Sequence, residues 1–97
     1  MANPQDSLQV RVLRAIEELL NERPPDDHYA DTNMVLQWMR LEEEARDELN
    51  LCMSELLADG YVRGKELRGG NKALDVTVTA ITDTGLELLS TSPELRG

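Results

Sequence analysis

An α+β domain is the fold class this sequence predicts, and three observations carry it. Apolar residues recur at helical spacing in three segments ahead of Gly60. Beyond Gly60 the pattern switches to alternation, with Leu74, Val76, Val78 and Ala80 separated by Asp75, Thr77 and Thr79. Between two extended segments, Gly69-Gly70-Asn71 supplies a turn. The expected architecture is a three-helix core, a two-stranded antiparallel β-hairpin and a short C-terminal helix.

The first helix is expected over about 7–22, with Asp6 or Ser7 as its N-cap. Leu8, Val12, Leu13, Ile16, Leu19 and Leu20 share one face, and Arg11, Arg14, Glu17 and Glu18 lie largely off it. Pro24-Pro25 cannot continue a helix. The loop PPDDHYAD follows, in which Tyr29 and Ala30 suit a very short extended piece. Asp31 or Thr32 caps a second helix over about 32–40. Its apolar residues Met34, Val35, Leu36, Trp38, Met39 and Leu41 are too crowded for one stripe, as in a short helix with neighbours on several sides.

The helical period falters near Leu41–Glu44, so a tight turn is expected there, then a third helix over about 43–58. Ala45, Leu49, Cys52, Met53, Leu56 and Leu57 form its inner face; Glu43, Glu44, Asp47, Asn50 and Ser54 form its outer one. Gly60 is the expected left-handed residue that ends it. The hairpin strands are expected over about 61–67 and 73–81, with a kink or bulge near Ala80-Ile81, where the alternation breaks. Thr82 caps the last helix, with Leu86 and Leu89 turned inward. One domain over 7–90 thus lies between flexible tails at 1–6 and 91–97.

Composition narrows the function classes. The 97 residues carry 19 acidic and 10 basic side chains, a net charge of −9. A chain this short is marginal on its own core, which favours a partner chain, including a homodimer. A single cysteine, Cys52, excludes an intramolecular disulfide framework, and it lies on an apolar helix face as a small core residue. A single histidine, His28, excludes a His-rich metal site within one chain, and Asp26, Asp27 and His28 are adjacent loop residues rather than a preorganised ligand set. No apolar run approaches the length of a membrane span, and the N-terminus lacks the basic and apolar regions of a signal peptide, so a cytoplasmic location without membrane contact is expected. No nucleophile elbow, phosphate-cradling glycine loop or paired carboxylates with an evident cleft occur, so no enzyme, cofactor or metal is expected.

Two joints carry more information. Leu56-Leu57-Ala58-Asp59-Gly60-Tyr61-Val62 is similar to the "L-x-x-x-G-Y-[IV]" junction of winged-helix proteins, where the third helix gives way to the first wing strand. Ala80-Ile81-Thr82-Asp83-Thr84-Gly85-Leu86-Glu87-Leu88-Leu89 resembles the "I-T-x-x-G-x-x-x-L" closure of bacterial and archaeal winged-helix regulators. With the hairpin between them and three helical segments before, the chain resembles this family over about 7–90. The resemblance implies a DNA-binding transcription regulator. Its third helix would enter the major groove and its wing would touch the backbone or minor groove. Dimer contacts would come from the first helix, where Leu8 and Val10 sit at opposite edges.

The residues fit this picture unevenly. Residues 42–48 hold five acids and one base, a charge that phosphates repel. The wing is basic instead: Arg63, Lys65, Arg68 and Lys72 face one acid, Glu66, over 63–72. The first reading is therefore a non-enzymatic regulator that binds double-stranded DNA weakly, mainly through Arg63, Lys65, Arg68 and Lys72 of the wing. Against it stands an exposed hairpin kept soluble by charge. The alternative is a protein-interaction module on the same scaffold, docking a basic partner through Glu43, Glu44 and Asp47 or through a Trp38-centred patch. Against that stand acids favoured by a helix N-terminus and Trp38 as a core anchor.

Overall fold

The computed structural model describes residues 8–70 and 72–91, with the side chains of all but Pro25, Lys72, Ala73 and Thr91. The tails expected at 1–6 and beyond 91, the caps Asp6 and Ser7, and Asn71 of the turn lie outside the described residues. Helix α1 spans Leu8–Asn21. Its buried arc holds Val12, Leu13, Ile16, Leu19 and Leu20 as expected, and also Ala15 and Val10. Val10, expected at an edge, is 2% exposed. The reason is position: α1 touches α2 (Thr32–Trp38), α3 (Arg46–Ala58), α4 (Asp83–Thr91) and the sheet, so more than a narrow stripe is covered. After α1, Arg23 donates to the carbonyl of Asp27, ion-pairs with its carboxylate, and lies 4.5 Å over the Tyr29 ring.

The sheet has three antiparallel strands, which corrects the two-stranded hairpin expected above. Strand β1 is Ala30–Asp31, β2 is Val62–Gly69 and β3 is Lys72–Ile81, in the order β1-β3-β2. Ala30 pairs with Val78 and Asp31 with Thr77. A two-residue strand carries no alternation of its own, so only its pairing partner makes it a strand. Asp31 then turns the chain into α2 by accepting from Met34 N at 2.9 Å.

Helix α2 ends at Trp38, not at residue 40. Arg40 takes φ 57°, Leu41 N bonds to Leu36 O at 2.9 Å and Arg40 N to Gln37 O at 3.1 Å. This is a Schellman ending with arginine in the left-handed position that glycine usually fills. It is the break expected near Leu41. A 3₁₀ turn over Glu43–Ala45 leads into α3. Helix α3 ends the same way on Gly60, at φ 82°, with Tyr61 N bonded to Leu56 O at 3.0 Å.

Strand β3 carries two extra residues relative to β2. The pairing steps from Arg63↔Ala80 to Gly64↔Val78, which leaves Thr79 over, and from Leu67↔Asp75 to Arg68↔Ala73, which leaves Leu74 over. The first lies near the expected kink. The second turns Leu74 outward, 47% exposed, although simple alternation placed it inside. Thr82 starts α4 by accepting from Gly85 N at 3.1 Å. In α4, Leu89 is buried as expected, but Leu86 is 45% exposed. Gly85 takes the inner position instead, because its missing Cβ lets the helix approach the backbone of Tyr61. Leu13, Ile16, Val35, Leu49, Met53, Leu56, Val76 and Val78 form the centre of the core.

Candidate functional site

The four wing cations do not form one cluster. Alternation along β2 sends Arg63 and Lys65 to one face and Glu66 and Arg68 to the other, toward α3. There Arg68 pairs with the carboxylate of Glu66, which also accepts from Ser54 Oγ at 3.0 Å. Those two bonds, Arg68 first, hold the Glu66 carboxyl below its ordinary pKa. Arg63 and Lys65 are exposed and meet no carboxylate among the described residues. Lys72 pairs with Gly69 through its backbone, and its side chain lies outside the described residues.

The outer face of α3 is acidic. Glu42, Glu43, Glu44, Asp47, Glu48 and Glu55 are all exposed there or in the turn before it. The lone cation, Arg46, pairs with Glu43 and donates through Nη2 to Asn33 Oδ1 at 3.1 Å. That pairing lowers the Glu43 pKa and raises that of Arg46, which the nearby Asp75 and Asp31 raise further. Asn50, expected outside, is 2% exposed and faces inward. Its Oδ1 accepts from the Thr32 hydroxyl at 2.6 Å and its Nδ2 donates to the Leu74 carbonyl at 3.1 Å.

Trp38 is not a core anchor: it is 45% exposed, because α2 stops at this residue and leaves it on the rim. Its Nε1 donates to Glu18 of α1 at 2.9 Å. Met34 and Met39, its neighbours in the sequence pattern, are partly buried against the core.

One surface went unread in the sequence. Leu51 projects from α3 with 59% of its surface exposed. It lines a groove of about 200 Å³ between α3 and the start of α1, with Leu8, Gln9, Glu48, Cys52 and Glu55. The signal was present: Leu49, Leu51, Cys52 and Met53 are too many apolar residues for one buried stripe, so one of them must face out. Cys52 is buried at the groove floor, and burial, then Glu55 and Glu48, push its thiol pKa up to about 12. Such a thiol is a poor nucleophile at neutral pH. A second hollow of about 230 Å³ lies between α1, β3 and α4 and is lined by His28, Ile81 and Leu86 among others.

Among the described residues, no group of three His, Cys, Asp or Glu side chains could hold a metal ion, and no helix is long and apolar enough to cross a membrane. Comparison with protein-family models, curated proteins and solved structures returns no match for this chain.

Proposed function

We propose that this chain is a non-enzymatic winged-helix module of the cytoplasm that binds a basic protein partner through the outer face of α3. The element order α1-β1-α2-α3-β2-β3-α4 supports the winged-helix assignment, with β2 and β3 as the wing. The observation that carries the function is the charge of the helix that would otherwise read DNA. Its outer face and the turn before it together offer six exposed carboxylates, and the one arginine among them is taken by Glu43. Base readout needs donors held in place by phosphate contacts, and this face repels phosphates.

A second reading keeps the wing as a weak nucleic-acid contact, on the strength of Arg63 and Lys65, two exposed cations on one strand face. Either surface would act twice over in a homodimer. One titration separates the readings. A labelled cationic peptide and a labelled DNA duplex are each titrated with the protein at about 50 and 200 mM salt, where phosphate-driven binding differs most. The peptide should bind, and Glu44→Gln with Asp47→Gln should weaken it. DNA binding that Arg63→Ala with Lys65→Ala removes, with no peptide binding, would transfer the function to the wing.

A further inference from the structure

We infer that the groove between α1 and α3 docks a cationic amphipathic helix of a partner protein, seated on Leu51 and Leu8 between Glu48 and Glu55. The inference rests on the reading above and narrows it to one place and one partner chemistry. Glu48, Leu51, Cys52 and Glu55 are spaced three, four and seven residues apart, so they form a single stripe along α3. Leu8 continues the apolar floor from α1, and Gln9 closes one side by donating to Glu55 Oε1 at 3.2 Å. An exposed leucine alone is unremarked on a protein surface. Here it lies in a concave, apolar-floored groove whose lining, among the described residues, holds two acids and no cation.

The charge selects the occupant. The two carboxylates sit seven residues apart on α3, roughly 10 Å along the axis. A partner helix with Lys or Arg at i and i+7 and an aliphatic residue between them matches both the carboxylates and the floor. An acidic segment or a phosphate backbone meets like charge. The carboxylates are felt across the floor itself, since both add to the upward push on the Cys52 thiol.

The test uses the full chain and two labelled peptides of identical composition, an amphipathic Leu/Lys helix and its scrambled sequence. The amphipathic peptide should bind about tenfold tighter than the scrambled one, because only it can bury an aliphatic row on Leu51. Leu51→Ala should remove that advantage, and Glu48→Lys with Glu55→Lys should abolish binding. All three positions are exposed, so circular dichroism should show unchanged folds. Equal binding of both peptides, unaffected by Leu51→Ala, would overturn the groove while leaving the acidic-face reading standing. Binding of neither peptide at low salt would overturn both. A dimer that Leu51→Ala dissolves and the peptide cannot displace would assign the groove to a second copy and overturn the proposed partner.

Discussion

The Thr32 hydroxyl, fully buried, donates to Asn50 Oδ1 at 2.6 Å and accepts from Val76 N at 3.0 Å, so one side chain joins α2, α3 and β3. It takes over where β1 stops. Ala30 and Asp31 pair with Val78 and Thr77, and the hydroxyl of the next residue, Thr32, meets the next free amide on β3. Asn50 completes the network through the carbonyl of the bulged Leu74. Thr32→Val keeps the shape and removes the hydroxyl, leaving Asn50 Oδ1 and Val76 N buried without it. It should destabilise the fold by about 3 kcal/mol. Urea unfolding measures this, and Thr32→Ser, which retains the hydroxyl, should recover most of the loss.

Glycine acts for different reasons at Gly85 and Gly60. A Cβ on Gly85 would lie 2.2 Å from the Tyr61 carbonyl oxygen, so Gly85→Ala must push α4 off the sheet, at a cost of about 3 kcal/mol. A Cβ on Gly60 meets nothing within 4 Å, but φ is +82°. Gly60→Ala should therefore cost only about 1 kcal/mol. Thermal melts of the two variants should rank in that order.

Arg40 occupies at φ 57° the position that Gly60 holds in the following helix ending. Arg40→Gly relieves the left-handed penalty and should stabilise the protein by about 0.5–1 kcal/mol, net of the entropy that glycine adds to the unfolded chain. A lower melting temperature for this variant would show that the arginine side chain contributes more than its backbone costs.

The Glu66 carboxyl has a folded-state pKa below its ordinary 4.5, through Arg68 first and Ser54 second. A depressed pKa contributes stability above the unfolded value, lost as pH falls through the folded one. Wild type should therefore melt above Glu66→Gln at neutral pH, and the gap should close below about pH 4.5. A gap constant into strong acid would show that the ion pair does not contribute. Salt should narrow the gap as well, since the pair is solvent-screened.

Cys52 behaves in the opposite sense. Its thiol is raised from 9.0 to about 12, so its contribution to stability is complete below pH 9.0 and is lost as pH rises toward 12. Alkylation by iodoacetamide at about pH 8 should be far slower in the native protein than in urea. Equal rates in both would show that the thiol is accessible in the fold.

The sequence by itself determined the local features. Periodicity located α1 and the inner face of α3, Pro24-Pro25 and Gly60 bounded them, Asp31 or Thr32 and then Thr82 marked the helix starts, and alternation with Gly69-Gly70 placed the hairpin. Each of these depends on residues close together in the chain, where propensity, capping and turn chemistry are local. The charge contrast between the wing and residues 42–48 was also legible, because charge is additive along the sequence.

Only the tertiary structure decided what depends on a distant partner. Ala30–Asp31 became a strand because Thr77 and Val78 lie beside it. Asn50 turned inward because the Thr32 hydroxyl and the Leu74 carbonyl satisfy its amide. Trp38 stayed on the rim because α2 ends there on a left-handed arginine. Gly85 took the inner place expected of Leu86 because only a residue without Cβ fits against Tyr61. Glu66 turned to Ser54 of α3, and Leu51 joined Leu8 across 43 residues of chain to form the groove. Burial and pairing of this kind are set by what the folded chain brings together, which no local pattern encodes.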